Sequence, residues 1–166
     1  MRYFLDTEFM EKPCTIGLIS IGIVAEDGRE FYAVSSEFNP NDANDWVKEN
    51  VLKPIAASGI IGKPLATIRQ EVLDFIGGDK RPEFWGYYAD YDWVVFCWLF
   101  GRMIDLPKGW PMYCRDLKQW SDQLKAAKLP DPIGEHNAIV DARWNRDLYD
   151  HCNRISAALR QTRLAL

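Results

Sequence analysis

Asp6 and Glu8, two carboxylates one residue apart, are the groups in this chain best placed to do chemistry. They follow Arg2–Leu5, an aromatic and apolar run that reads as a strand. In an extended chain, residues i and i+2 point to the same face, so both acids project together from the strand end. Like charges held that close repel each other and raise a pKa unless a cation lies between them. The natural occupant is a hard cation that takes oxygen ligands, Mg²⁺ or Mn²⁺. A solvated strand end with two surface acids would show the same spacing.

Two further segments carry candidate groups. Near the C-terminus stands His136-Asn137-Ala138-Ile139-Val140-Asp141, and in the middle Gly86-Tyr87-Tyr88-Ala89-Asp90-Tyr91-Asp92-Trp93. Taken alone, His136 suits a surface or helix-capping histidine. Asp92 and Asp141 suit acids in a first helical turn, and Asp90 suits a helix cap. His151 falls well inside a helical segment and reads as structural.

The three segments together resemble the DEDD superfamily of 3′→5′ exonucleases, in its histidine-containing branch. Asp6 and Glu8 meet that family's Asp-x-Glu motif. Tyr91 and Asp92 meet the aromatic-then-Asp end of its second motif. His136, Ala138 and Asp141 meet His-x-Ala-x-x-Asp. A narrower resemblance, to the bacterial RNase AS-like exoribonucleases, rests on Tyr3–Phe9, Leu18–Glu30 and Ala89–Asp92. Tyr88 departs from the wider family, which often has Asn four residues before the second-motif Asp. The order of aromatic and acid favours Asp92 over Asp90 as the ligand.

The resemblance implies a ribonuclease H-like fold and a metal-dependent 3′→5′ exoribonuclease. The substrate would be the 3′ end of single-stranded RNA, adenylate-rich RNA included, and the product nucleoside 5′-monophosphates. Two cations, Mg²⁺ or Mn²⁺, would share Asp6. Glu8 and Asp141 would complete one site and Asp92 the other. His136 would act as general base, a role its ordinary pKa suits at neutral pH. Glu8 would hold the terminal 3′-hydroxyl. Phe9 and Met10 would lie beside the terminal nucleotide, with Ser20, Trp93 and His136 as further contacts. Two other readings compete. One is a proofreading-type DNA 3′→5′ exonuclease; the other is a non-catalytic module that binds RNA ends. The second expects broken metal ligands, yet all four acids and the histidine are present.

Bulk properties bound these readings. The 166 residues suit a single domain, 1–166, with chain enough for a core. No apolar run is long enough for a membrane span. The N-terminal residues enter a strand directly, which predicts no secretory signal. Cys14, Cys97, Cys114 and Cys152 are scattered without a C-x-x-C pair, as suits reduced thiols in a cytoplasm. The net charge of −4 argues against long-range, non-specific duplex binding. Without the four candidate ligands the acidic and basic residues balance, which suits a short grip on one strand end. Arg143, Arg146, Arg154, Arg160 and Arg163 follow the third motif. They form either a solvated face or contacts to RNA or to a second subunit of a homodimer.

The elements that must position these groups follow from periodicity. Strands are expected at Arg2–Asp6, Thr15–Ala25, Glu30–Ser36, Glu83–Tyr87 and Pro111–Cys114. In the second, Leu18, Ser20, Gly22 and Val24 alternate against Ile19, Ile21 and Ile23. Asp27-Gly28 is a hairpin signal that joins the second strand to the third. Helices are expected at Asn44–Val51, Pro64–Ile76, Asp92–Phe100, Asp116–Ala127 and about His136–Leu159, with loops at 53–63 and 130–134. The pattern gives an α/β fold with a mixed sheet flanked by helices, and the resemblance gives the sheet five strands.

Overall fold

The computed structural model describes residues 1–164, with side chains through residue 162. The side chain of Arg163 and the last two positions of the expected domain therefore lie outside the described residues. Two long strands dominate the fold: β1 (Arg2–Lys12) and β2 (Thr15–Ala25), paired antiparallel. The Asp27-Gly28 turn, with Gly28 at φ +90°, returns the chain as β3 (Glu30–Val34) against β2. Strand β4 (Glu83–Gly86) then lies parallel to β1, and β5 (Arg115–Asp116) parallel to β4. The result is the expected five-stranded mixed sheet, ordered β3-β2-β1-β4-β5, as a ribonuclease H-like fold requires.

Six helices complete the described residues: α1 (Asp45–Val47), α2 (Lys53–Ser58), α3 (Leu65–Ile76), α4 (Asp90–Phe100), α5 (Leu117–Leu124) and α6 (Ala138–Leu164). Tyr3, Leu5, Ile21, Ile23 and Phe84 bury one face of the sheet under α3 and α4. Phe4 and Val24 bury the other face under α5 and α6. Met10 and Ile19 form a smaller cluster with Ala43 and Val51 beside α1 and α2. None of these helices is long and apolar enough to cross a membrane.

Several elements differ from the sequence reading. Strand β1 runs beyond both acids to Lys12, so Asp6 and Glu8 lie inside a strand and not at its end. A bulge opposes Glu8 and Phe9 to Ser20 and Leu18, leaving Ile19 as the extra residue. The alternation expected in β2 breaks there: Leu18 joins the core of Ile21 and Ile23, and Ile19 turns to Met10. The loop expected at 53–63 begins as α2. Pro54 sits in its first turn, where a proline is tolerated, and Gly59 ends it at φ +70°. A π-turn over Lys48–Leu52 joins α1 to α2.

The fifth strand is Arg115–Asp116, not Pro111–Cys114, because only those two residues meet Trp85 and Gly86 of β4. Asp116 then caps α5, accepting from the Gln119 amide at 2.8 Å. Lys125, at φ +51°, stops that helix before the expected Ala127. The last helix starts at Ala138 and not at His136, whose φ of +68° is left-handed.

Helix α6 is set very close to the sheet. Gly22 lies opposite Asp6 across the β1–β2 pair, and a Cβ at Gly22 would overlap the backbone carbonyl of Ala138. Only glycine lets the first turn of α6 come so near the strands. The clash is with backbone, so no side chain can swing aside to relieve it. Gly22→Ala should therefore destabilise the fold by about 2–3 kcal/mol. A lowered urea midpoint with unchanged slope would report it, and an unchanged midpoint would disprove this account of the packing.

Candidate active site

The site is built where β4 leaves β1. Their pairing stops at Phe4 and Trp85, so the edge of β1 beyond that point has no strand neighbour. A buried amide there needs another acceptor. Asp92, in the first turn of α4, supplies it. Its Oδ1 accepts from the Thr7 amide at 2.8 Å and from the Thr7 hydroxyl at 2.6 Å. The β4–α4 turn is pinned in the same way, with the Ala89 amide donating to Asp116 Oδ2 at 2.9 Å. Tyr88 takes a left-handed φ of +54° inside that turn.

Thr7 faces α4, so Asp6 and Glu8 face α6. Asp141 meets them from the first turn of α6. One donor oxygen from each of Asp6, Glu8 and Asp141 lies within 4.8 Å of the others. Asp141 Oδ2 also accepts from the His136 backbone amide at 2.9 Å, folding the histidine back over the site. The His136 ring meets the indole of Trp46, on α1, edge-on at 4.7 Å. One turn beyond Asp141, Asn145 donates to the carbonyl of Leu5 at 2.9 Å, in a fully buried bond that ties α6 to β1 beside Asp6.

These groups line a cleft of about 570 Å³. Six carboxylates line it (those of Asp6, Glu8, Asp92, Asp131, Glu135 and Asp141) against one lysine, Lys128. Burial, followed by repulsion from Asp92, Glu8 and Asp141, pushes Asp6 well above the ordinary carboxylate range. Burial and the charges of Asp141 and Asp92 push Glu8 up to about 8. Burial raises Asp92 to about 6, against the lowering effect of its Thr7 bonds. Asp141 also rises to about 6 through burial, held back by the His136 amide. An all-oxygen donor set, crowded and short of water, suits a hard divalent cation. The residues present therefore fit the metal that such an exonuclease needs.

The structure brings together Asp6, Glu8, Asp92, His136 and Asp141, and with them Phe9, whose ring stands 5.8 Å from Tyr91. It does not bring in the side chains of Met10, Ser20 or Trp93. Met10 packs with Ile19 and Val51, and Ser20 is fully buried opposite Glu8. Trp93 stacks on Phe96 at 5.2 Å, inside the α4 core. Asp90 is exposed at the first residue of α4, and the cap position is Ala89. Arg143 is tied to Glu30 of β3 through two bonds of 2.8 and 2.6 Å. Arg154 and Arg160 are exposed.

Several participants had no role in the sequence reading: Thr7, Trp46, Tyr87, Lys128, Trp144 and Asn145. Asn145 had a usable signal, because it lies four residues after Asp141 on the same helical face. Trp46 had none, since its partner is 90 residues away.

An α/β fold of this strand order, with a cleft lined by these acids and a histidine, defines a 3′→5′ exonuclease of the ribonuclease H-like class. Residues 1–152 match the family described as the Rv2179c-like 3′-5′ exoribonuclease domain, and the chain belongs to that family of hydrolases. It is 44% identical over 147 residues to the 3′-5′ exoribonuclease Rv2179c of Mycobacterium tuberculosis strain H37Rv. The same identity relates it to the 3′-5′ exoribonuclease MT2234.1 of M. tuberculosis strain CDC 1551. Each match covers 86% of this chain and 88% of the relative.

The raised carboxylates give the metal-free protein a defined pH response. Their folded pKa values exceed the unfolded ones, so the folded state binds more protons between about pH 4 and about 8. Stability should fall as pH rises through that window. Melting in chelator should show a lower Tm at pH 8 than at pH 5. At pH 8, Mn²⁺ at a hundred times its Kd should restore about 5–10 °C. A Tm indifferent to both pH and metal would rule out a cation at these acids.

Proposed function

We propose that this chain removes nucleotides one at a time from the 3′ end of single-stranded RNA, adenylate-rich RNA included. The convergence of Asp6, Glu8 and Asp141 donor oxygens within 4.8 Å, with His136 bonded to the last of them, carries the reading. Asp6, Glu8, Asp92 and Asp141 are the ligand set we assign, and together they would hold two Mg²⁺ or Mn²⁺ ions. Such a pair of ions supplies charge neutralisation at the phosphoryl group, an acidified water and a stabilised leaving oxygen.

The chain's own residues do the rest. The His136 imidazole takes the proton from the attacking water as its oxygen bonds to phosphorus. The bond from phosphorus to the leaving O3′ breaks. A nucleoside 5′-monophosphate departs, and the shortened RNA keeps a new 3′-hydroxyl. His136 is suited to this task by two restraints: its main chain is held by Asp141 and its ring by Trp46. Glu8 accepts from the terminal 3′-hydroxyl, which sets the direction of attack. Phe9 and Tyr91 offer paired rings for the terminal base, and stacking of this kind is worth about 1–3 kcal/mol per base. The resemblance to RNase AS-like enzymes also supports a homodimer. Four free cysteines suit a reducing cytoplasm as its compartment.

Incubation with 5′-labelled RNA and DNA of matched sequence, with Mg²⁺, Mn²⁺ or chelator, tests the proposal. A metal-dependent ladder shortening from the 3′ end of RNA is the expected product. Asp6→Ala should abolish it while the melting curve stays cooperative. His136→Ala should slow turnover about a hundredfold or more yet keep the Mn²⁺-induced rise in Tm. Wild-type turnover by the Asp6 variant would show that the site is wrongly assigned. DNA shortened as fast as RNA would favour the proofreading-type alternative.

A further inference from the structure

A second concavity opens beside the cleft, and the reaction outlined above makes no use of it. It is a groove of about 150 Å³ between α5, the segment after it and α6. Tyr87, Lys128 and Trp144 line both the groove and the cleft, so the two are continuous. Lys118, Asp122, Leu129 and Leu148 are among the residues of its remaining walls, which thus carry one acid. The Tyr87 ring meets Trp144 edge-on at 5.0 Å and Tyr88 edge-on at 4.7 Å. Lys118 Nζ lies 5.9 Å from the centre of the Tyr88 ring. Aromatic faces interleaved with ammonium groups are what a single nucleic-acid strand requires: rings for its bases and cations for its backbone.

Electrostatics decides which way a bound strand leaves the cleft. The cleft is lined by six carboxylates, and no arginine is among its lining residues. With cations at Asp6, Glu8, Asp92 and Asp141, Asp131 and Glu135 are the acids of that wall left to repel a phosphate beyond the terminal one. Lys128 is the one lysine there, and it stands at the junction with the groove. Lys118 continues the positive charge beyond it. Both lysines hold neighbouring acids, Lys128 with Asp131 at 2.8 Å and Lys118 with Asp122 one helical turn away. Exposed pairs of this kind contribute little and yield readily to a phosphate.

We propose that the groove is the subsite for the nucleotide preceding the 3′-terminal one. Its base lies against the edge-to-face pair of Tyr87 and Trp144, on the face of one ring and the edge of the other, and its phosphate sits between Lys118 and Lys128. The inference rests on the exoribonuclease reading of the cleft and adds to it the path of the upstream strand. The enzyme should therefore prefer a strand that carries the phosphate on the 5′ side of that nucleotide.

The test compares wild type with a Lys118→Ala, Lys128→Ala double variant on oligoadenylates: a dinucleotide without a 5′-phosphate, which lacks the phosphate assigned to the lysines, against a dodecanucleotide. The ratio of kcat/KM on the longer to that on the shorter should fall about tenfold, through KM and not kcat. The salt dependence of KM on the longer strand should weaken, its logarithmic slope falling by about 0.7 for the one phosphate that loses its lysines. A Lys118→Arg, Lys128→Arg variant should recover most of the loss. Trp144 is left intact, because its indole also holds the Pro130 carbonyl at 2.8 Å. Fluorescence anisotropy of a labelled dodecanucleotide, read with Ca²⁺ in place of Mg²⁺ or Mn²⁺ so that the acids stay neutralised, tests the groove apart from catalysis. Weaker binding by the alanine variant supports the subsite even if the wild type fails to cut RNA. Equal affinity for the dodecanucleotide, or an equal loss on both lengths, overturns it.

Discussion

The carboxylates of Asp6, Glu8, Asp92 and Asp141 repel one another, and the architecture around them is set against that repulsion. Among the described residues, no lysine or arginine bonds any of the four. Each acid is held instead through backbone and packing. Thr7 gives Asp92 two short hydrogen bonds, and the His136 amide gives one to Asp141. Asp6 and Glu8 are fixed by strand pairing to Gly22 and Ser20. The energy to hold them comes from elsewhere. Buried residues such as Phe4, Phe84, Phe96 and Leu117 each contribute about 1.5–3 kcal/mol on the two faces of the sheet.

The geometry of α6 shows how local choices serve that end. Its first turn must reach Asp6 and Glu8, so it must pack nearer the sheet than side chains normally allow. Gly22 removes the obstacle on β2, and Asn145 fixes the depth by bonding Leu5 on β1. Between them they set the gap across which Asp141 meets Asp6. Leu5 and Asp6 are adjacent on β1, so a shift of α6 would disturb the buried Asn145 bond and the acidic cluster together. A buried carbonyl without its donor is costly, which makes the arrangement stiff. The structure thus couples core packing to the spacing of the acids through two residues outside the assigned ligand set.

Much of this was legible in the sequence. The three acid-bearing segments, four of the five strands and the order of the helices other than α2 could be read from motif spacing and periodicity. What escaped had a long-range cause. The bulge at Ile19 is set by β1, and the π-turn after α1 and the Trp46–His136 contact by tertiary packing. Periodicity assumes a regular strand, so it placed Leu18 on the wrong face. Met10 and Trp93 were chosen as substrate contacts for their nearness in sequence to Glu8 and Asp92. In a strand the next-but-one residue shares a face with its acid, and in a helix the next residue turns some 100° away. Met10 nevertheless went to a core beside α1, and Trp93 to the core under α4.

The acidity of the chain also becomes intelligible at this level. A net charge of −4 would be a poor signature for a protein that grips RNA along many phosphates. Here the excess negative charge is the size of the candidate ligand set, concentrated in one cleft and relieved only by cations that the reaction itself needs. Metal-free, the cleft repels a polyanion. With cations at the four acids, the same cleft would draw in a phosphodiester at the position where a water can attack it. In the proposed reaction binding and catalysis would then share one requirement, and a strand end unable to reach the cations would not be retained. Repulsion between the four crowded acids would therefore act as a filter, admitting substrate only to a site already able to cleave it.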